Sequence, residues 1–218
     1  MQIQSLALAP APAPVVGFDA ESDEELKIVG AIKTYGRDEE VFAEGDRADF
    51  VYRVVSGAVR MTRVLADGRR QVADFYLPGD VFGVELGAER TATAEAVGEV
   101  MLVVVRRAVL ASDPAQAQKL WRQALGELGR CRDHLLTVTH RSATERVARF
   151  LLDLGVRLGG EAQIDLPMSR QDIADYLGLT IETVSRTMTQ LQADGLVRLS
   201  GCRQVTFARP AALAGLCE

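Results

Sequence analysis

The chain has only three cysteines, Cys131, Cys202 and Cys217, set far apart and with no CxxC spacing. That excludes a disulfide-stapled scaffold and a zinc or iron–sulfur site built from local cysteine pairs. The same sparse usage fits a reducing cytoplasm. Long apolar runs are missing too. The strongest, residues 100–105, is six residues long, against the ~20 that a membrane span needs, so no membrane partner is expected. The first seventeen residues carry neither Lys nor Arg. They lack the basic start of a secretory signal and read as a flexible leader rich in Ala and Pro. Positive charge is not in excess either: 25 Lys plus Arg stand against 30 Asp plus Glu, a net of −5. This argues against a polybasic protein that holds nucleic acid by charge alone. The HExxH, GxSxG and P-loop patterns are absent, and His134 and His140 are the only histidines. An enzyme has no constellation to work with here, and no metal site is expected.

What remains is an ordinary globular composition, 48% hydrophobic and 25% charged over 218 residues, with room for one large domain or two modest ones. From residue 22 to residue 112 the signal is short β-branched runs punctuated by Gly45, Gly57, Gly68 and Gly79, at intervals of 12, 11 and 11. Turn residues at that spacing predict an antiparallel sandwich or barrel. Asp67 and Gly68, between the runs 59–64 and 70–75, predict a tight hairpin, because a positive φ costs glycine little. Ahead of the strands, Ser22 and Glu25 have capping-box form and predict a short helix reaching about Lys33.

The texture changes at Asp113 and Pro114, a helix start. No proline follows until Pro167. Ala117, Trp121, Ala124, Leu128, Cys131, Leu135 and Val138 recur at alternating steps of four and three, a single a/d seam over residues 113–141. Two readings are open: a helix pairing with a second copy of the chain, or an amphipathic helix packed on its own domain. Cys131 would lie near the axis of the pair as a structural thiol, while His134 and His140 read as solvated. A second capping box, Ser142 with Glu145, opens the next helix, and Gly159 and Gly160 end it.

Residues 168–195 are the most informative stretch. Ser169 caps one helix, with Asp172 at its positive end. Ile173, Ala174 and Leu177 form its apolar side, Gly178 stops it, and Thr180 caps a second helix running to about Asp194. Two helices across a glycine turn are a helix-turn-helix. Two short strands around Gly201 and Cys202 add a wing. Glu182 and Arg186 are four apart and share a face. A carboxylate can accept from cytosine N4, and a guanidinium can donate two bonds to guanine O6 and N7. The alternative is a surface ion pair worth ~0.3–0.5 kcal/mol; the surrounding motif favours base reading. Ser169, Arg170, Thr180 and Thr183 are cast as phosphate contacts, which set register without specifying sequence. Over residues 142–218 there are 8 Arg and no Lys against 9 Asp plus Glu. A net of −1 is unusual for a DNA-binding domain, so positive charge must be arranged locally and non-specific affinity should be weak.

The order of glycine-rich roll, long helix and winged helix-turn-helix resembles the cyclic-AMP-receptor and fumarate-nitrate-reductase regulator superfamily. The matching pieces are residues 44–46, 55–57, 77–80, 169–178 and 182–186. The last two, with residues 144–148, look most like its FixK-type branch, associated with low-oxygen respiration and nitrogen fixation. The resemblance implies an α+β chain in four parts: a leader (1–21), a cupin-like antiparallel β-roll (22–112), a dimerisation helix (113–141) and a winged helix-turn-helix (142–218). It also implies a homodimeric activator that binds double-stranded DNA at a palindrome with TTGA-like half-sites and recruits RNA polymerase. Ile181, Glu182, Ser185 and Arg186 fall on the base-reading positions. Iron–sulfur relatives carry an N-terminal cysteine cluster, whereas here nothing precedes Cys131. Nucleotide-gated relatives use a Glu and an Arg-Ser/Thr pair, for which Glu85, Arg90 and Thr91 are the candidates. Their short spacing favours an empty cassette and a regulator active without a cofactor, with gating by a cyclic nucleotide as the alternative.

Overall fold

The computed structural model describes residues 29–217 other than 141 and 161. The leader and the capping signal at Ser22 lie outside the described residues. Eight strands follow: β1 (Ala31–Tyr35), β2 (Glu40–Phe42), β3 (Phe50–Ser56), β4 (Val59–Val64), β5 (Arg70–Tyr76), β6 (Val81–Phe82), β7 (Thr93–Ala96) and β8 (Val100–Arg106). They form two four-stranded antiparallel sheets, ordered β1-β8-β3-β6 and β2-β7-β4-β5. The helix expected to reach Lys33 is corrected over its last residues: Ala31–Lys33 pair with Leu102–Val104 of β8. The apolar run 100–105 needs a neighbour on each side, and that pairing overrides a local helix signal.

The roll closes over an aromatic interior in which the rings of Phe42, Tyr52 and Phe82 lie 5.1–6.2 Å from one another, centre to centre, and Tyr76 stacks on Phe82 at 5.0 Å. The β4–β5 hairpin turns where Asp67 and Gly68 predicted, with Gly68 at φ 82° and the Asp67 carboxylate accepting from the Arg69 amide. A short helix that the sequence did not announce, α1 (Arg107–Ser112), follows β8.

Then comes α2 (Pro114–His140), whose 27 residues span about 40 Å. Asp113 starts it as expected, its carboxylate accepting from the Ala115 amide. Next is α3 (Ala143–Arg157), opened by a full capping box between Ser142 and Glu145. The remaining elements are β9 (Gln163–Asp165), α4 (Arg170–Leu177), α5 (Ile181–Ala193), β10 (Val197–Ser200), β11 (Gln204–Phe207) and α6 (Pro210–Gly215). Strand β9 joins the wing as its third strand, in the order β10-β11-β9. Helix α6 covers the core with Leu213.

The roll and the C-terminal helices share a core. Phe75, Leu77 and Val72 of the roll belong to the same buried cluster as Leu151, Leu154, Ile173, Leu177 and Met188. The helix-turn-helix therefore sits directly on the β4–β5 hairpin.

Candidate nucleic-acid interface

Local chemistry builds the two-helix unit. The Ser169 hydroxyl accepts from the Asp172 amide at 3.1 Å, and the Asp172 carboxylate accepts from the Ser169 amide at 3.0 Å and from its hydroxyl at 2.7 Å. Two of the orphan donors at the α4 start are thereby satisfied. Gly178 ends α4 in the left-handed region at φ 63°, and Thr180 accepts from the Thr183 amide at 3.2 Å to open α5. Ile173, Ala174, Leu177, Val184, Met188 and Leu191 are all buried between the helices and α3.

The opposite face of α5 is open. Ile181, Glu182, Ser185, Arg186 and Thr189 are exposed, with Thr183 partly so. Among the described residues no ion pair joins Glu182 to Arg186, so the surface-bridge alternative is not what the side chains adopt. Hydrogen bonds from its own backbone amide and from the Thr180 hydroxyl, aided by the Arg186 charge, hold the Glu182 carboxyl below its usual range. It is an ionised acceptor. An acceptor and a forked donor thus stand one helical turn apart on a rod thin enough for a major groove. Of the residues cast as phosphate contacts, Ser169 is half-buried with its hydroxyl bonded to Asp172, and the Thr180 hydroxyl bonds Thr183. Thr180 is exposed, and Arg170 has a buried Nη1 with no hydrogen-bond partner.

The wing strands pair from Val197 with Phe207 to Ser200 with Gln204, and Cys202 is exposed at their turn. Gly155 of α3 lets the wing approach: a Cβ there would lie 2.9 Å from the Phe207 ring.

On α2 the seam is uncovered. Trp121 and Leu135 are each 59% exposed, Leu128 and Cys131 are exposed, and Ala117, Ala124 and Val138 are half-buried. The reading in which this helix packs its stripe on its own domain is thus not what the fold adopts. His134 corrects the expectation of a solvated side chain. Its imidazole stacks on Tyr176 of α4, centres 4.0 Å apart, and burial pushes its pKa down. The side chain of His140 lies outside the described residues.

The cassette residues are spread apart in role. Arg90 is buried, its Nη1 and Nη2 donating to the carbonyls of Gly83 at 2.6 Å and Phe50 at 2.5 Å, with the guanidinium over the Phe42 ring at 4.0 Å. Glu85 accepts from both the amide and the hydroxyl of Thr91, each at 3.2 Å. Residues 84–92 form no helix that would present amides to a phosphate. Both terminal nitrogens of Arg90 and the Glu85 carboxylate are thus engaged within the protein, while the buried Arg90 Nε has no partner, and the residues as they stand do not fit a cyclic nucleotide. Among the described residues no cluster of His, Cys, Asp and Glu has metal-binding geometry. No helix among them is long and apolar enough to cross a membrane.

An antiparallel roll, a long helix with a bare stripe and a winged helix-turn-helix with an open polar face together define a Crp-like DNA-binding regulator. Residues 145–216 match the model of the Crp-like helix-turn-helix domain, and residues 32–112 match that of the cyclic nucleotide-binding domain. The nitrogen fixation regulation protein FixK of Rhizobium meliloti is 46% identical over 187 residues, covering 86% of this chain and 87% of that protein. FixK of Azorhizobium caulinodans is 45% identical over 208 residues, covering 90% and 84%. The solved structure of FixK2 from Bradyrhizobium japonicum superposes with a TM-score of 0.84 at 44% identity, over 87% of this chain and 98% of that one. The chain belongs to the FixK branch of the Crp/Fnr superfamily of transcriptional regulators, a non-enzymatic family with a helix-turn-helix DNA-binding domain.

Proposed function

We propose that two copies of this chain pair along the stripe from Ala117 to Val138 and insert α5 into successive major grooves of a palindrome with TTGA-like half-sites. Ile181, Glu182, Ser185 and Arg186 read bases, while Thr180, Thr183 and Arg170 contact phosphates. Ser169 serves by holding α4 in place. The bound dimer recruits RNA polymerase in the cytoplasm and activates genes of low-oxygen metabolism or nitrogen fixation, the field named for the two FixK relatives. No small-molecule effector is needed.

One observation carries this reading. The exposed face of α5 is polar and carries no ion pair between Glu182 and Arg186, while every large apolar residue C-terminal to Ile181 on that helix is buried. Half-sites about one helical turn apart follow from two-fold pairing. Binding titrations on a palindromic probe test it. Glu182→Ala and Arg186→Ala should each lose roughly 1–3 kcal/mol of discrimination at one base pair, with the oligomeric state unchanged. Undiminished discrimination in both variants refutes the reading.

A further inference from the structure

Arg60 is among the most deeply buried charged side chains of the roll, only 9% exposed. A guanidinium does not give up its proton, so burying one is costly unless acceptors surround it. Two acceptors belong to the roll: Glu95, at 2.9 Å from Nε, and Asp38, at 3.0 Å from Nη2. The third does not. Nη1 donates across the domain boundary to the Asp172 carboxylate of α4 at 3.3 Å. Arg70, at the start of β5, reaches the same Asp172 oxygen at 2.7 Å and grips Asp175 through Nε at 2.9 Å and Nη2 at 2.7 Å. Gln71 donates to the Asp175 carbonyl at 2.6 Å. Asp172 thus uses one oxygen to close the start of α4 and the other to dock that helix on the roll.

Helix α4 is the support on which α5 packs. With these bonds formed, Glu182 and Arg186 remain exposed. The docked arrangement leaves the recognition face free, so it is no blockade of DNA.

We propose that Arg60 and Arg70 are positioning residues for DNA recognition. Through Asp172 and Asp175 they hold the helix-turn-helix on the chain's own β-roll, fixing the direction of α5 and hence the half-site spacing that a dimer accepts. The inference rests on the assignment of α5 as the reading helix. Because the network is complete within the polypeptide, the orientation needs no small molecule to set it. Asp172 itself is a poor probe, since its loss also uncaps α4; inverting the Arg70–Asp175 pair keeps the capping oxygen Oδ2 and its bonds to Ser169 in place and takes the Arg70 cation only from Oδ1.

The test uses the full chain with Arg70→Glu, Asp175→Arg and the two combined. Two quantities are read: the distance distribution between spin labels at Glu40 and Ala193, in labelled chain diluted with unlabelled chain, and binding to palindromes of varied spacer length. Each single variant should broaden the distance distribution, bind at least tenfold more weakly and lose its sharp spacer preference. The combined variant should recover a large part of each, because it restores the pair with position 175 but not the bond from Arg70 to Asp172. If Arg70→Glu does not fold, Arg70→Gln carries the same comparison with a smaller loss. Single variants that match the parent chain, or a combined variant as impaired as the singles, overturn the proposal. A distance distribution that broadens and recovers while Arg186→Ala leaves DNA selectivity untouched would uphold the clamp and refute the reading helix.

Discussion

The guanidinium of Arg90 lies 4.0 Å above the ring of Phe42, inside the roll, and its two terminal nitrogens satisfy the carbonyls of Gly83 and Phe50. Its role here is to fill space and donate hydrogen bonds within the protein. Arg90→Ala should therefore lower stability by about 2–4 kcal/mol in urea unfolding, because two buried carbonyls lose their donor and the ring loses its cation.

The same geometry bears on ligands. A nucleotide at 100 times its dissociation constant would add ~2.7 kcal/mol to stability. Millimolar cyclic AMP and cyclic GMP should leave the thermal midpoint of the parent chain where it is. A clear rise with either would restore the gated alternative through Glu85, Arg90 and Thr91.

The bare stripe on α2 makes its own prediction. Leu128 and Leu135 are exposed in the single chain although they lie on one face of a long helix, an arrangement that apolar side chains adopt when a partner covers them. Replacing both by Glu should shift sedimentation from dimer to monomer and reduce palindrome binding at least tenfold. Dimers that persist would place the interface elsewhere.

Asp74 is a carboxyl raised to about 6 by burial, only partly offset by the Arg157 and Arg130 charges and the Phe75 amide, with Glu127 pushing it further up. An acid whose folded pKa lies above its unfolded one takes up protons on folding between those values. Its favourable contribution is full below about pH 4 and is lost as the pH rises through 6. His134 acts in the opposite direction: its lowered pKa withdraws stability as the pH falls through the unfolded value near 6.5. Subtracting the stability profile of Asp74→Asn from that of the parent isolates the carboxyl. The difference should favour the parent increasingly from pH 7 down to pH 5, and a flat difference would contradict it.

Much of this was legible because the signals are local. The capping pairs Ser142 with Glu145 and Ser169 with Asp172, the stop at Gly178 and the start at Thr180 each act within four residues, and each appears as the sequence predicts. The same local spacing puts Val184, Met188 and Leu191 inside and Glu182, Ser185 and Arg186 outside. What escaped was non-local. Nothing near Asp172 announces Arg60, which stands 112 residues away. The stacking of His134 on Tyr176 joins α2 to α4, and a histidine on a polar helix face carries no mark of that. Arg90 was recognisable as a residue type but not by its direction. Which way a guanidinium turns depends on whether the roll interior already offers it carbonyls and a ring.

The most direct test is selection of bound sequences from random DNA, with the parent chain, Glu182→Ala and Arg186→Ala run side by side. The parent should enrich a two-fold palindrome whose half-sites lie about one helical turn apart. Each variant should relax the sequence at a symmetric pair of positions while keeping the spacing. Enrichment of the same fully specified palindrome by all three proteins would contradict the account.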